Sequence, residues 1–119
     1  MANVKQSMED LLTIDGAMCA ALVDSGSGMI LGQLGSGVDL EVAAAGNTEV
    51  VRAKLKTMKA LGLNDAIEDI LITLGRQYHI LRPIATKEGL FIYLVLDKTK
   101  SNLAMSRRKV QEVERELVI

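Results

Sequence analysis

Few residues of this chain are of types that do covalent or acid–base chemistry. Cys19 can act as a nucleophile only beside a base or positive field that lowers its pKa. It lies inside an apolar run, Ala17 to Val23, and nothing in the sequence brings the single histidine, His79, next to it. A buried, inert cysteine is the simpler reading. His79 alone cannot build a histidine-rich metal site, and no CxxC or HExxH spacing is present, so neither metal nor cofactor is expected. Glu68 and Asp69 are adjacent at the start of a candidate strand. Consecutive strand residues point to opposite faces, which makes a poor carboxylate dyad.

Two glycine-rich segments invite comparison with phosphate cradles. Ser25-Gly26-Ser27-Gly28 has no lysine and leads into a strand rather than a helix, so it reads as a hairpin turn. Gly35-Ser36-Gly37 does precede a helix, where an anion could bind. Asp39 would repel that anion, and a connecting loop is the plainer reading. Arg107-Arg108-Lys109 is basic, but Glu112, Glu114 and Glu116 follow within two turns. Mixed charge of this kind describes a solvated helix face, with an Arg108–Glu112 pair, rather than a nucleic-acid patch.

Composition narrows the choice further. The 119 residues are 49% hydrophobic and 24% charged, with 14 basic against 15 acidic side chains. That balance opposes both intrinsic disorder and a strongly basic nucleic-acid binder. One cysteine rules out an internal disulfide and implies no oxidising compartment. Met1 to Gln6 lacks the pattern of a signal peptide, and no apolar stretch approaches the roughly 18 residues of a spanning helix. A cytoplasmic protein, without membrane insertion, is expected. Phe91, Tyr78 and Tyr93 are the only aromatics, so the core must be aliphatic and base-stacking platforms are nearly absent.

The elements follow from periodicity. Val4, Met8, Leu11 and Leu12 form one stripe of a helix over 3–13, broken at Asp15-Gly16. The runs 17–23 and 29–34, joined by the Ser/Gly turn, predict a hairpin. A long helix is expected over 39–61, with Asp39 as its N-cap, Gly62 as its stop, and Asn47 as a polar interruption of its core face. Ile67–Leu74 predicts a strand with Ile70, Ile72 and Leu74 on one face. The segment 77–84 predicts another, with Pro83 at a strand end or edge. Leu90 to Leu96 is almost unbrokenly apolar, which implies a central strand. A closing helix over 102–117 has Ser101 as its expected N-cap. The order is αββαβββα, an α+β domain.

Two features suggest protein contacts. Besides its core face, the long helix carries Val42, Ala45, Gly46, Val50 and Ala53. Small residues let another backbone approach closely, and Gly46 should cost about 1 kcal/mol relative to alanine. A wide apolar face covering a broad sheet would explain the same residues. The Ile67–Leu74 strand, if at an edge, invites pairing with another chain. Its acidic start is either a guard against pairing or the device that sets one register.

The order of elements, the Ala20-Ala21-Leu22-Val23-Asp24 strand entering a glycine turn, and Asn102-Leu103-Ala104 with Arg107 resemble the roadblock / dynein light chain family, from about Met8 to Leu117. The resemblance implies one domain over residues 1–119, with a five-stranded antiparallel sheet. The long helix would cover one face and the terminal helices the other. It also implies a dimer made by pairing the third strands and packing the long helices. Ala43, Gly46, Val50, Ile67, Ile70, Ile72 and Leu74 are the expected interface residues. Family members associate with dynein intermediate chains or small Ras-like GTPases, and some bacterial members activate such a GTPase without a catalytic residue of their own. The resemblance thus implies a non-catalytic homodimeric scaffold or regulator. A small-ligand sensor is the alternative, with a pocket lined by Met58, Phe91 and Tyr93. An enzyme depending on Cys19 or His79 ranks third.

Overall fold

The computed structural model describes residues 1–119. It contains α1 (Val4–Leu12), β1 (Ala17–Asp24), β2 (Met29–Gly35), α2 (Leu40–Ala60), β3 (Ile70–Thr73), β4 (Gln77–Pro83), β5 (Leu90–Asp97) and α3 (Leu103–Glu116). A short 3-10 turn, Lys98–Lys100, separates β5 from α3. The five strands form one antiparallel sheet in the order β2-β1-β5-β4-β3. The unbroken apolar run of β5 occupies its centre, as a strand buried on both faces requires.

Alternation along the strands divides the core in two. Ala20, Leu22, Ile80, Leu94 and Leu96 point to one face, where Met8 and Leu11 of α1 and Val110 and Val113 of α3 close over them. Cys19, Ala21, Leu81, Tyr93 and Val95 point to the other, beneath Leu40, Ala44 and Val51 of α2. The result is three layers, with α2 on one side of the sheet and the terminal helices on the other.

Local chemistry sets the boundaries. The Asp24 carboxylate accepts from the Gly26 N–H in the β1–β2 turn, which Gly28 closes at φ +77°. Asp39 caps α2 by accepting from the Glu41 and Val42 amides. At the other end Gly62 takes φ +71°, its N–H donates to the Lys59 carbonyl and that of Leu63 donates to Met58. That pair of bonds satisfies carbonyls the helix would otherwise leave open.

Three expectations are corrected. The N-cap of α3 is Asn102, whose side chain accepts from the Met105 N–H, while Ser101 donates its hydroxyl to the Asp97 carbonyl. The third strand spans only Ile70–Thr73, so Ile67 precedes it and Leu74 follows it. The charges of α3 pair differently too. Arg107 binds Asp69, Glu114 binds Arg82, and Lys109 rather than Arg108 approaches Glu112, at 4.0 Å.

Candidate protein-interaction surface

The outer side of α2 is the most unusual surface of the chain. Leu40, Ala44, Thr48, Val51 and Met58 are buried against the sheet. Val42, Gly46, Val50 and Ala53, at i, i+4, i+8 and i+11, lie on the opposite side of the helix and are exposed. Val42 is 69% exposed, and a Cβ added at Gly46 would meet nothing within 4 Å. No contact inside the chain therefore requires glycine at position 46. Leu55, and Leu61 just past the end of α2, add further exposed apolar area. Because α2 packs on β1 and β2, it leaves the β4–β3 end of that face without a helix.

The expected interface residues are divided by this geometry. Gly46 and Val50 lie on the exposed stripe of α2, whereas Ala43 is half-buried and packs against the core beneath the helix. Ile70 and Ile72 are half-buried in β3, with Ile70 against the α2-side core. β3 is the sheet edge, bonded to β4 alone through Ile70↔Leu81 to Thr73↔Tyr78, so its outer backbone groups lack a strand partner. Ile67 is half-buried ahead of the strand. Leu74 is exposed beyond it, its N–H bonded to the Gln77 carbonyl in the β3–β4 turn. The α2 helix packs on β1 and β2, whereas β3 is the far edge of the sheet.

Asp69 immediately precedes β3. Its side chain is only 7% exposed and is held bidentately by Arg107 of α3, Nε to Oδ2 at 2.9 Å and Nη2 to Oδ1 at 3.0 Å. Glu68 stays exposed. The acidic start of the strand is thus half tether and half solvated charge.

A polar cluster runs along the α2 side of the sheet toward β4. Asn47 of α2 faces the Tyr93 hydroxyl, which lies 3.0 Å from His79 Nδ1, and His79 Nε2 lies 2.8 Å from Gln77 Oε1. A neutral imidazole satisfies both contacts: Nε2–H donates to Gln77 while Nδ1 accepts from Tyr93. Burial lowers the His79 pKa from its ordinary value, and burial pushes the Tyr93 hydroxyl up to about 12. The sequence signal for this cluster was Asn47, the polar break in the apolar face of α2.

Cys19 and His79 both pair with Val95 and so share one cross-strand row, with β5 between them. The thiol is fully buried and burial raises its pKa, the reverse of what a nucleophile needs. No three His, Cys, Asp or Glu side chains converge as a metal site would require. Phe91 and Tyr93 are packed into the core, and a depression of 630 Å³ lies elsewhere, between α1 and β2. No helix is long and apolar enough to cross a membrane.

No family model matches the sequence, and no curated protein matches it. Solved structures do match the fold. A Roadblock/LC7 domain from Streptomyces avermitilis superposes with a TM-score of 0.82 at 11% identity, covering 97% of this chain and 94% of that one. MglB of Myxococcus xanthus gives 0.75 at 16% identity, covering 94% and 85%. The gliding protein MglB from Thermus thermophilus gives 0.71 at 19% identity, covering 93% and 87%. The chain has the Roadblock/LC7 fold.

Proposed function

We propose that this chain is a non-catalytic regulatory scaffold that pairs with a second copy of itself and binds a small Ras-like GTPase or a related motor or signalling assembly. The observation that carries the reading is the exposed apolar stripe Val42, Gly46, Val50 and Ala53, on the side of α2 turned away from the core. An apolar stripe left in water favours a partner, and the glycine lets a facing helix come close. The unpartnered β3 edge offers main-chain bonds to a second chain. The proposed contacts are Gly46, Val50, Ile70 and Ile72 at the centre, with Ala43, Ile67 and Leu74 at the margin.

The fold supports the choice of partner. The family that the sequence resembles binds small GTPases or motor chains, and one MglB of this fold has a tetrameric arrangement. Cys19 is buried with a raised pKa and His79 is hydrogen-bonded to Tyr93, which supports a reading in which neither does covalent chemistry. Regulation would then come from binding one conformation of the GTPase more tightly than the other. A pull-down from source-cell lysate, with GDP and a non-hydrolysable GTP analogue in parallel, tests this. A GTPase retained with one nucleotide and released with the other is the expected result. A partner retained equally with both would replace regulation by a structural role.

A further inference from the structure

The sheet edge opposite β3 is β2. From Met29 to Val38 the chain has no charged residue and no proline, the residues that normally guard an exposed edge. β2 instead exposes Met29, Leu31 and Leu34, with Leu31 at 48%. The strand bulges at Leu31, which has no partner where Leu22 faces Gly32 and Val23 faces Ile30. Over Gly32 sit Val4 and Met8 of α1. The groove beside them is walled by Val4, Met8, Leu31 and Leu34, with Lys5 and Glu9 also lining it. Neither Lys5 nor Glu9 forms an ion pair within the chain.

We infer that β2 is a second self-pairing edge: two copies join their β2 strands antiparallel about a two-fold axis at Gly32, with Lys5 of each facing Glu9 of the other. Charge complementarity selects a second copy as the occupant. Pairing about Gly32 sets Leu31 against Gln33, and no charged residue lies in the strand itself. Val4 and Met8 bracket the midpoint between Lys5 and Glu9, and both rest over Gly32, so the same axis passes near that midpoint. Antiparallel α1 helices then bring lysine to glutamate twice, the self-complementarity that a two-fold interface demands. β2 and β3 lie on opposite edges of one sheet. Alternating the two pairings would extend the sheet from protomer to protomer, as an open series rather than a closed dimer. The β2 pairing holds whether or not the β3 pairing does.

The test is sedimentation velocity on the full chain over rising concentration, with circular dichroism confirming that each variant is folded. Ile72→Lys, or Leu74→Lys if that variant unfolds, silences the β3 edge and isolates β2. The expected result is a dimer that Leu31→Lys abolishes. Lys5→Glu alone and Glu9→Lys alone should each weaken it by roughly three- to tenfold. The exchanged pair Lys5→Glu/Glu9→Lys should restore it. Association insensitive to Leu31→Lys, or an exchanged pair no better than the single changes, overturns the inference. Absence of any such dimer overturns it too, and would leave the groove to an extended segment of another protein or to solvent. If Ile72→Lys leaves the wild-type mass unchanged, the β3 reading falls, while Leu31→Lys still decides β2.

Discussion

Arg107 reaches from α3 to the residue just before the β3 edge and grips Asp69 through two nearly parallel bonds of 2.9 and 3.0 Å. The pair ties the terminal-helix layer to the strand on which the proposed dimer depends. The ladder begins at Ile70 opposite Leu81, and the same register carried back would set Glu68 against Pro83, which has no N–H to donate.

Removing the guanidinium leaves Asp69 largely buried with no cation. Arg107→Ala should lower stability by about 1–3 kcal/mol, read by urea denaturation. Amide exchange at Ile70–Thr73 should quicken by more than exchange in β5. Arg107→Lys keeps the charge and loses the fork, so it should fall between the two.

Gly32 is required by space. A Cβ there would fall on Cγ1 of Val4, a β-branched side chain with little rotamer freedom. Gly32→Ala should cost about 1–3 kcal/mol by thermal unfolding. Val4→Ala in the same chain should recover part of that loss, because it removes the methyl that clashes.

The Tyr93–His79 cluster gives stability a pH dependence at both ends. The folded His79 pKa lies below its ordinary value, so on acidification the unfolded chain takes up the proton first. Stability should therefore be full above about pH 6.5 and fall as pH drops below it. Tyr93 works in the opposite direction: its pKa is raised to about 12, so the unfolded chain ionises first and stability falls above about pH 10. Melting curves across this range should show both limbs, and His79→Gln should flatten the acid limb just below about pH 6.5.

Much of the layering was legible before the structure. The unbroken run at Leu90 to Leu96 marked the central strand, and Asp39 marked the start of α2. These are local signals, carried by residues whose burial or capping depends on near neighbours. What escaped depends on contacts distant in the chain. Glu114 looked like part of a solvated helix face, yet its carboxylate takes both the Arg82 guanidinium and the Ala85 amide across the terminal-helix side of the sheet. Ser101 and Asn102 are both good caps by type, and the turn geometry after β5 decides between them. Ile67 looks like a strand residue by composition, but it lies beyond the point where the register meets Pro83, which cannot donate a ladder bond. The exposed stripe on α2 was visible as a surplus of small apolar residues. Whether that surplus faced the sheet or the solvent required the packing of α2 on β1 and β2.

Self-association through α2 and β3 is the claim on which the functional account rests, and light scattering tests it most directly. The Leu31→Lys chain, its β2 edge silenced, should scatter at twice the 12.9 kDa of one protomer. Adding Gly46→Trp should return it to a single protomer without loss of secondary structure. A Leu31→Lys chain that stays monomeric at micromolar concentration, or a dimer that tolerates Gly46→Trp, would contradict it.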